Sequence, residues 1–399
     1  MRRLSSVPLV WLGWVMARLA LTGLILVQPH PLGDVHYYHR GLFGDDPSAM
    51  TEYPDAGVWP VRLLGLVTGP EVTGFLIGFA VMMALVDAAF LALLLALGRE
   101  RRFRAAWFWV VFGTAAGQVF WLRLDLFPGV LVGGYAALLF IRPAWASAVL
   151  ALATAVKLWP GVLAAGLVGA VRRSDTWVRL LAFFGTLAAL VGVTWATSGL
   201  DRLLSPLTYQ GDRGIQIESL AATPFLVSEF REPGRYWTGY AASKSFEIAG
   251  PGTAAVSTVV DVAMGAVLLL AVAWAVRNLM VGRWNPSPTL AFSLLLVLLL
   301  IATNKVFSPQ YIVWVGPILA VALYATRSRL VPVMALLTVL AAGLGTWIYP
   351  FNYNPLWMGP AEAGTEITVL AARNVIVVLL TLLAAAWLVQ ESRRTYGPR

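Results

Sequence analysis

The residues best suited to chemistry lie close together near the start of the chain. All three histidines, His30, His36 and His39, fall within ten residues, among Asp34, Tyr37, Tyr38 and Arg40. Asp45, Asp46, Glu52, Tyr53 and Asp55 follow shortly after. Asp34 stands a few residues beyond an apolar run. A carboxylate so placed can take a proton from a hydroxyl while a lipid-linked donor lies in the adjacent bilayer. The plainer reading is a solvated loop with turn-forming Asp residues, and Gly44-Asp45-Asp46-Pro47 suits it best. His36 and His39 could share a helical face near Asp34, and two histidines with a carboxylate are a plausible metal ligand set. No tighter spacing of the HExxH kind supports that. No metal is therefore expected, and the histidines read as interfacial or substrate-contacting residues.

Candidate anion binders come later in the chain. Arg213, between Gly211 and Gly214, can bring a guanidinium and backbone N–H groups together at an anion. Otherwise it is a surface turn with an Asp212–Arg213 pair. Lys157, before Trp159-Pro160, and Lys305, before Ser308-Pro309-Gln310-Tyr311, are two of only three lysines. At helix junctions an ammonium can meet a phosphate, or simply snorkel to ordinary lipid.

The elements that carry these residues are membrane helices. Of 399 residues, 59% are hydrophobic and only 12% charged, whereas about a quarter are charged in soluble proteins. Apolar runs near the ~20 residues that span a bilayer recur throughout. They cover 7–27, 72–97, 105–121, 127–141, 178–197, 255–276, 289–303, 311–325, 331–347 and 367–389. Within 143–170, Lys157 and Pro160 interrupt the run, because proline removes a helix hydrogen bond. Two short helices meeting there at the outer face are expected. The prediction is an all-α polytopic membrane protein with one domain over 1–399 and about twelve hydrophobic helices. Its outer loops span 29–71, 198–252 and 348–366, and both termini are cytoplasmic. By this topology 15 of 20 Asp and Glu lie outside and 17 of 29 Lys and Arg inside, as the positive-inside rule requires. The net charge of +9 thus reflects orientation and not nucleic acid. The absence of cysteine excludes disulfides, thiolate metal sites and a Cys nucleophile. Arg18, Asp87, Asp261 and Arg373 fall within spans with no evident partner, and Arg123-Leu-Asp125 reads as a local ion pair at a helix end.

Gly33-Asp34-Val-His-Tyr37-Tyr38, with Gly41, resembles the Asp-x-x-x-Tyr segment of the actinobacterial glycosyltransferase family 87, membrane mannosyltransferases of the GT-C superfamily. Glu52-Tyr53-Pro54 resembles the family's later Tyr-Pro-Pro stretch, with Asp55 in place of the second proline. Ala151 to Pro160 and Phe307-Ser308-Pro309-Gln310-Tyr311 also look like family segments, in the same order along the chain. The resemblance implies a GT-C-like bundle that moves mannose from polyprenyl phosphate to a glycolipid or glycan acceptor at the outer face. No cofactor is implied beyond that lipid-linked co-substrate. Asp34 would be the general base, with Asp45 and Asp46 as competing candidates, because other GT-C enzymes carry two-acid motifs in this loop. Lys157, Arg213 and Lys305 would hold the donor phosphate, and His36, Tyr38, Arg40, Tyr53 and Gln310 would contact substrate. A transporter or flippase of a lipid-linked sugar is the rival reading, but such proteins usually show repeated halves with polar groups near the midplane. Another polyprenyl-phosphate sugar, such as a pentose, is also open.

Overall fold

The computed structural model describes residues 6–29, 32–44, 49–208 and 213–396, so His30, Asp45, Asp46 and Asp212 lie outside the described residues. Helix makes up 78% of the structure. The first part runs through α1 (Val7–Val27), α2 (Gly33–Phe43), α3 (Asp55–Thr68) and α4 (Val72–Leu97). Four shorter helices follow: α5 (Arg102–Ala115), α6 (Gln118–Trp121), α7 (Leu126–Leu138) and α8 (Pro143–Val156). A 3-10 segment, Trp159–Leu167, leads to the long α9 (Ser174–Thr208). Beyond it come β1 (Ile215–Gln216), α10 (Thr223–Arg231), β2 (Trp237–Tyr240) and β3 (Phe246–Ala249). The chain closes with α11 (Thr253–Val281), α12 (Pro286–Ala302), α13 (Val315–Ala325), α14 (Leu330–Thr346), α15 (Asn354–Met358) and α16 (Gly364–Tyr396).

Among the described residues, six helical segments can cross a membrane by length and composition: α1, α4, most of α9, α11, Leu330–Phe351 and α16. Four more, Leu126–Leu138, Pro143–Val156, Pro286–Ala302 and Pro309–Ala325, are apolar but shorter. This is an all-α membrane protein with a small sheet. The short helices are central. α12 buries thirteen of its seventeen residues, as a helix apolar on every side must. The long α9 and α11 instead leave Leu181, Val262 and Leu269 about 70% exposed, which suits lipid and not water.

Several expectations change. The stretches 29–71 and 348–366, expected as outer loops, carry α2, α3 and α15. Arg202 on α9 straps the first of these down, donating to the carbonyl oxygens of Met50 and Tyr53 at 3.2 and 2.8 Å. The predicted span 105–121 breaks at Gly117, whose φ of 62° favours glycine and whose Cβ would strike Thr346. The expected interruption of 143–170 is present: α8 stops at Val156 and Lys157 is extended.

The four charges within spans do find partners. Arg18 of α1 bonds Asp87 of α4 through two nitrogens at 2.6 and 3.1 Å, and Trp14 and Trp109 also donate to that carboxylate. Arg373 of α16 pairs with Glu218 at 2.6 Å, and Asp261 of α11 with Lys305 at 2.8 Å. All three pairs join residues far apart in sequence. No local spacing could reveal them.

Between α9 and α11 the strands pair antiparallel in the order β1-β3-β2. Its turn at Gly234–Tyr236 is held by Glu229, whose carboxylate accepts three consecutive backbone N–H groups at 2.6–2.9 Å. This small subdomain packs its own apolar cluster, including Ile217, Leu226 and Ile248, against Leu356 and Leu370. It thereby roofs one end of the helix bundle.

Candidate active site

Beneath that roof lies a cavity of about 590 Å³, walled by α2, the connections after α6 and α8, the β2–β3 hairpin and the segment around residues 304–314. Seven charged side chains of its wall decide its character: Arg40, Arg123, Lys157, Arg213 and Lys244 against Asp34 and Glu52. The cationic excess favours an anionic ligand.

Asp34 sits in the first turn of α2, after Leu32 in the left-handed region, where the helix dipole favours a carboxylate. Its side chain is 30% exposed and lines the cavity. Arg123, from the link between α6 and α7, forms an ion pair with it and donates to the Tyr349 hydroxyl at 3.0 Å. Desolvation pushes the Asp34 carboxyl above the usual carboxylate range. The Arg123 guanidinium pulls the other way without cancelling it, and the charge of Asp125 adds to the rise.

Asp125 does not pair with Arg123, contrary to the local reading of Arg123-Leu-Asp125. It accepts from Lys157 Nζ at 2.5 Å and from Trp314 Nε1 at 2.7 Å. The extended backbone at Lys157 is what turns its ammonium inward from the end of α8. There it lies 5.2–5.9 Å from the ring centres of Tyr53, Tyr311 and Trp314. Trp314 in turn stacks between Trp159 and Tyr311, with centroids 4.8 and 3.9 Å away. This aromatic cage fixes a cation at the cavity wall, and its flat apolar faces and polar tips suit a sugar ring as well.

Of the residues singled out from sequence, Asp34, Arg40, Tyr53, Lys157, Arg213 and Gln310 line the cavity. Gln310 accepts from the Ser308 hydroxyl at 2.5 Å. Tyr38 is fully buried behind the wall, its hydroxyl 3.2 Å from that of Tyr53. His36 is partly exposed on α2 and is not among the lining residues. His39 packs on Phe43 and Phe75 and bonds the Pro70 carbonyl at 2.9 Å, so it does not converge with Asp34 and His36. Among the described residues, no group of three His, Cys, Asp or Glu side chains is placed to hold a metal. Lys305 is also absent from the wall. Its ammonium turns to Asp261, while its neighbours Asn304 and Val306 reach the cavity.

Arg123 and Asp125 were read only as a local ion pair, and Lys244 was not singled out. Lys244 lies at the tip of the β2–β3 hairpin with φ 58°, 5.2 Å from the Tyr37 ring and 3.3 Å from its hydroxyl. That hydroxyl also donates to Glu52 at 3.0 Å and accepts the Met50 N–H at 2.7 Å. The only signal in sequence was scarcity, since lysine occurs at just three positions.

No family model, no curated protein and no solved structure matches the chain.

Proposed function

We propose that the protein is an inverting glycosyltransferase that moves a mannosyl residue from a polyprenyl-phosphate donor to a glycolipid or glycan acceptor. It would work within a GT-C-like bundle of about twelve hydrophobic helices, with both termini cytoplasmic and the cavity at the outer face. The observation that carries this reading is the pairing of one recessed carboxylate, Asp34, with a cavity wall otherwise rich in fixed cations. The motif resemblance around Asp34, Tyr53, Lys157 and Gln310 supports the choice of chemistry and of mannose.

In this scheme Asp34 accepts the proton of the acceptor hydroxyl. The freed oxygen attacks the anomeric carbon from the face opposite the phosphate, and the bond from that carbon to the phosphate oxygen breaks. A β-linked donor gives an α-mannoside, and polyprenyl phosphate leaves with the bonding electrons. A phosphate leaving group needs charge stabilisation more than a proton, and Lys157, held by Asp125 and its aromatic cage, is the first candidate to supply it. Arg213 and Lys244 stand elsewhere in the same wall. A carboxyl raised above its usual range is a stronger base, and the Arg123 guanidinium favours its ionised form.

The test is to incubate purified protein with polyprenyl-phosphate-mannose and a panel of glycolipid acceptors, then determine the anomeric configuration of any product. An α-mannoside with release of polyprenyl phosphate supports the proposal. A retained β configuration removes the single-displacement scheme. Movement of intact donor across vesicles without any product returns the choice to a transporter.

A further inference from the structure

A second cavity, of about 390 Å³, is lined by Arg173, Asp175, Thr176, Arg179, Arg283 and Trp284, among others. It lies at the far end of the bundle from Asp34. Trp284, just before α12, lines this cavity, and Asn304, just after α12, lines the first. A helix of seventeen residues separates them, a distance of about 26 Å.

Arg179 is the informative residue. It is 4% exposed, and every other strongly buried arginine described here, Arg18 and Arg373, meets a carboxylate. Among the described residues Arg179 has no such ion pair. Its Nε donates to the Leu167 carbonyl at 2.8 Å and its Nη2 reaches Thr176 Oγ1 at 3.4 Å, while the guanidinium lies over the Trp284 ring at 4.0 Å. Those contacts fix the guanidinium at the cavity wall and leave Nη1 without a protein acceptor among the described residues. Arg173 and Arg283 stand exposed at the rim, and Arg283 donates to the Tyr396 carbonyl at 3.0 Å. Against three guanidiniums the wall offers one acid, Asp175. Planar forks of this kind match phosphate oxygens.

The surroundings indicate where the phosphate comes from. Trp177 and Leu181 on α9 and Met280 on α11, close in sequence to the lining residues, are 53%, 74% and 80% exposed, as lipid-facing side chains are. We propose that this cavity binds a phosphate ester, supplied by the headgroup of an anionic lipid whose chains lie along α9 and α11. The site is independent of the glycosyl-transfer reading.

Purified protein in neutral detergent would be titrated with short-chain phosphatidylglycerol, short-chain phosphatidylcholine and inorganic phosphate, reading the unfolding temperature and native mass spectra. Phosphatidylglycerol should bind and stabilise, and phosphatidylcholine should do so far less. The exposed pair Arg173→Gln/Arg283→Gln should fold normally and weaken phosphatidylglycerol at least about tenfold, since each basic side chain at such a site contributes about 1 kcal/mol. Arg179→Gln should weaken it further, but it also removes buried bonds, so the exposed pair is decisive. Equal stabilisation by inorganic phosphate, lost in the same pair, supports the anion site and gives it to a free phosphate. The proposal is overturned if the pair binds phosphatidylglycerol as the wild type does. It is overturned equally if neither phosphatidylglycerol nor phosphate stabilises the wild type.

Discussion

At the residue scale, the site turns on how Asp34 is balanced between a desolvating wall and the Arg123 guanidinium. A general base acts in its ionised form, so turnover falls as pH drops through the carboxyl's pKa. Because that pKa is raised, the acid limb of kcat/KM should lie above the ~3.9 of a free Asp side chain. Arg123→Gln removes the opposing charge, so the limb should move further up and the rate at neutral pH should fall. Profiles of the two proteins between about pH 4 and pH 8 would check this, and identical limbs near the ordinary value would contradict it. Lys157 makes a separate prediction. Lys157→Gln should cut kcat/KM for the lipid-linked donor by roughly tenfold to a hundredfold, the size expected when a charge-assisted contact is lost. Lys157→Arg should recover only part, because the cage is shaped around an ammonium. Asp34 and Lys157 stood out in sequence because their types are rare and they fall beside helix ends. Arg123 and Asp125 were read as a pair with each other, because the actual partner of each stands on another element.

At the element scale, hydropathy located the segments and matched 7–27 and 72–97 to the residue, while α9, α11 and α16 run on past their apolar cores. The break at Lys157 was legible because proline has a fixed backbone consequence. The break at Gly117 was not, because its positive φ and the Thr346 side chain against it are both set by the folded structure. The helix contacts of α1, α4 and α5 are pinned by the Arg18–Asp87 pair, with Trp14 and Trp109 completing the carboxylate's bonds. Arg18→Leu alone leaves a buried unpaired charge and should destabilise the protein by about 3–5 kcal/mol. Adding Asp87→Leu should restore most of that loss. Thermal unfolding of the single and double variants in detergent would check the pair, and two additive losses would contradict it.

At the scale of the whole molecule, each cavity occupies one end of the bundle, and the proposed topology puts the Asp34 end outside. With no native cysteine, single-site labelling in intact cells reads this orientation without background. A cysteine at Ala242, exposed at the β2–β3 tip, should react with an impermeant maleimide. One at Ser174, at the exposed start of α9, should react only after permeabilisation. The reverse pattern would invert the topology. The membrane class was legible from composition, because apolar runs are a local property. The roof formed by α10 and the strands was not, because its core is assembled from residues 215–370.

The most direct test of the central claim is turnover of polyprenyl-phosphate-mannose by wild type and Asp34→Asn at matched unfolding temperature. Loss of polyprenyl phosphate release by at least about a hundredfold, as for removal of a general base, with donor binding retained, is the predicted result. Undiminished release by a folded Asp34→Asn would contradict it and move the base elsewhere, to Asp45 or Asp46 first.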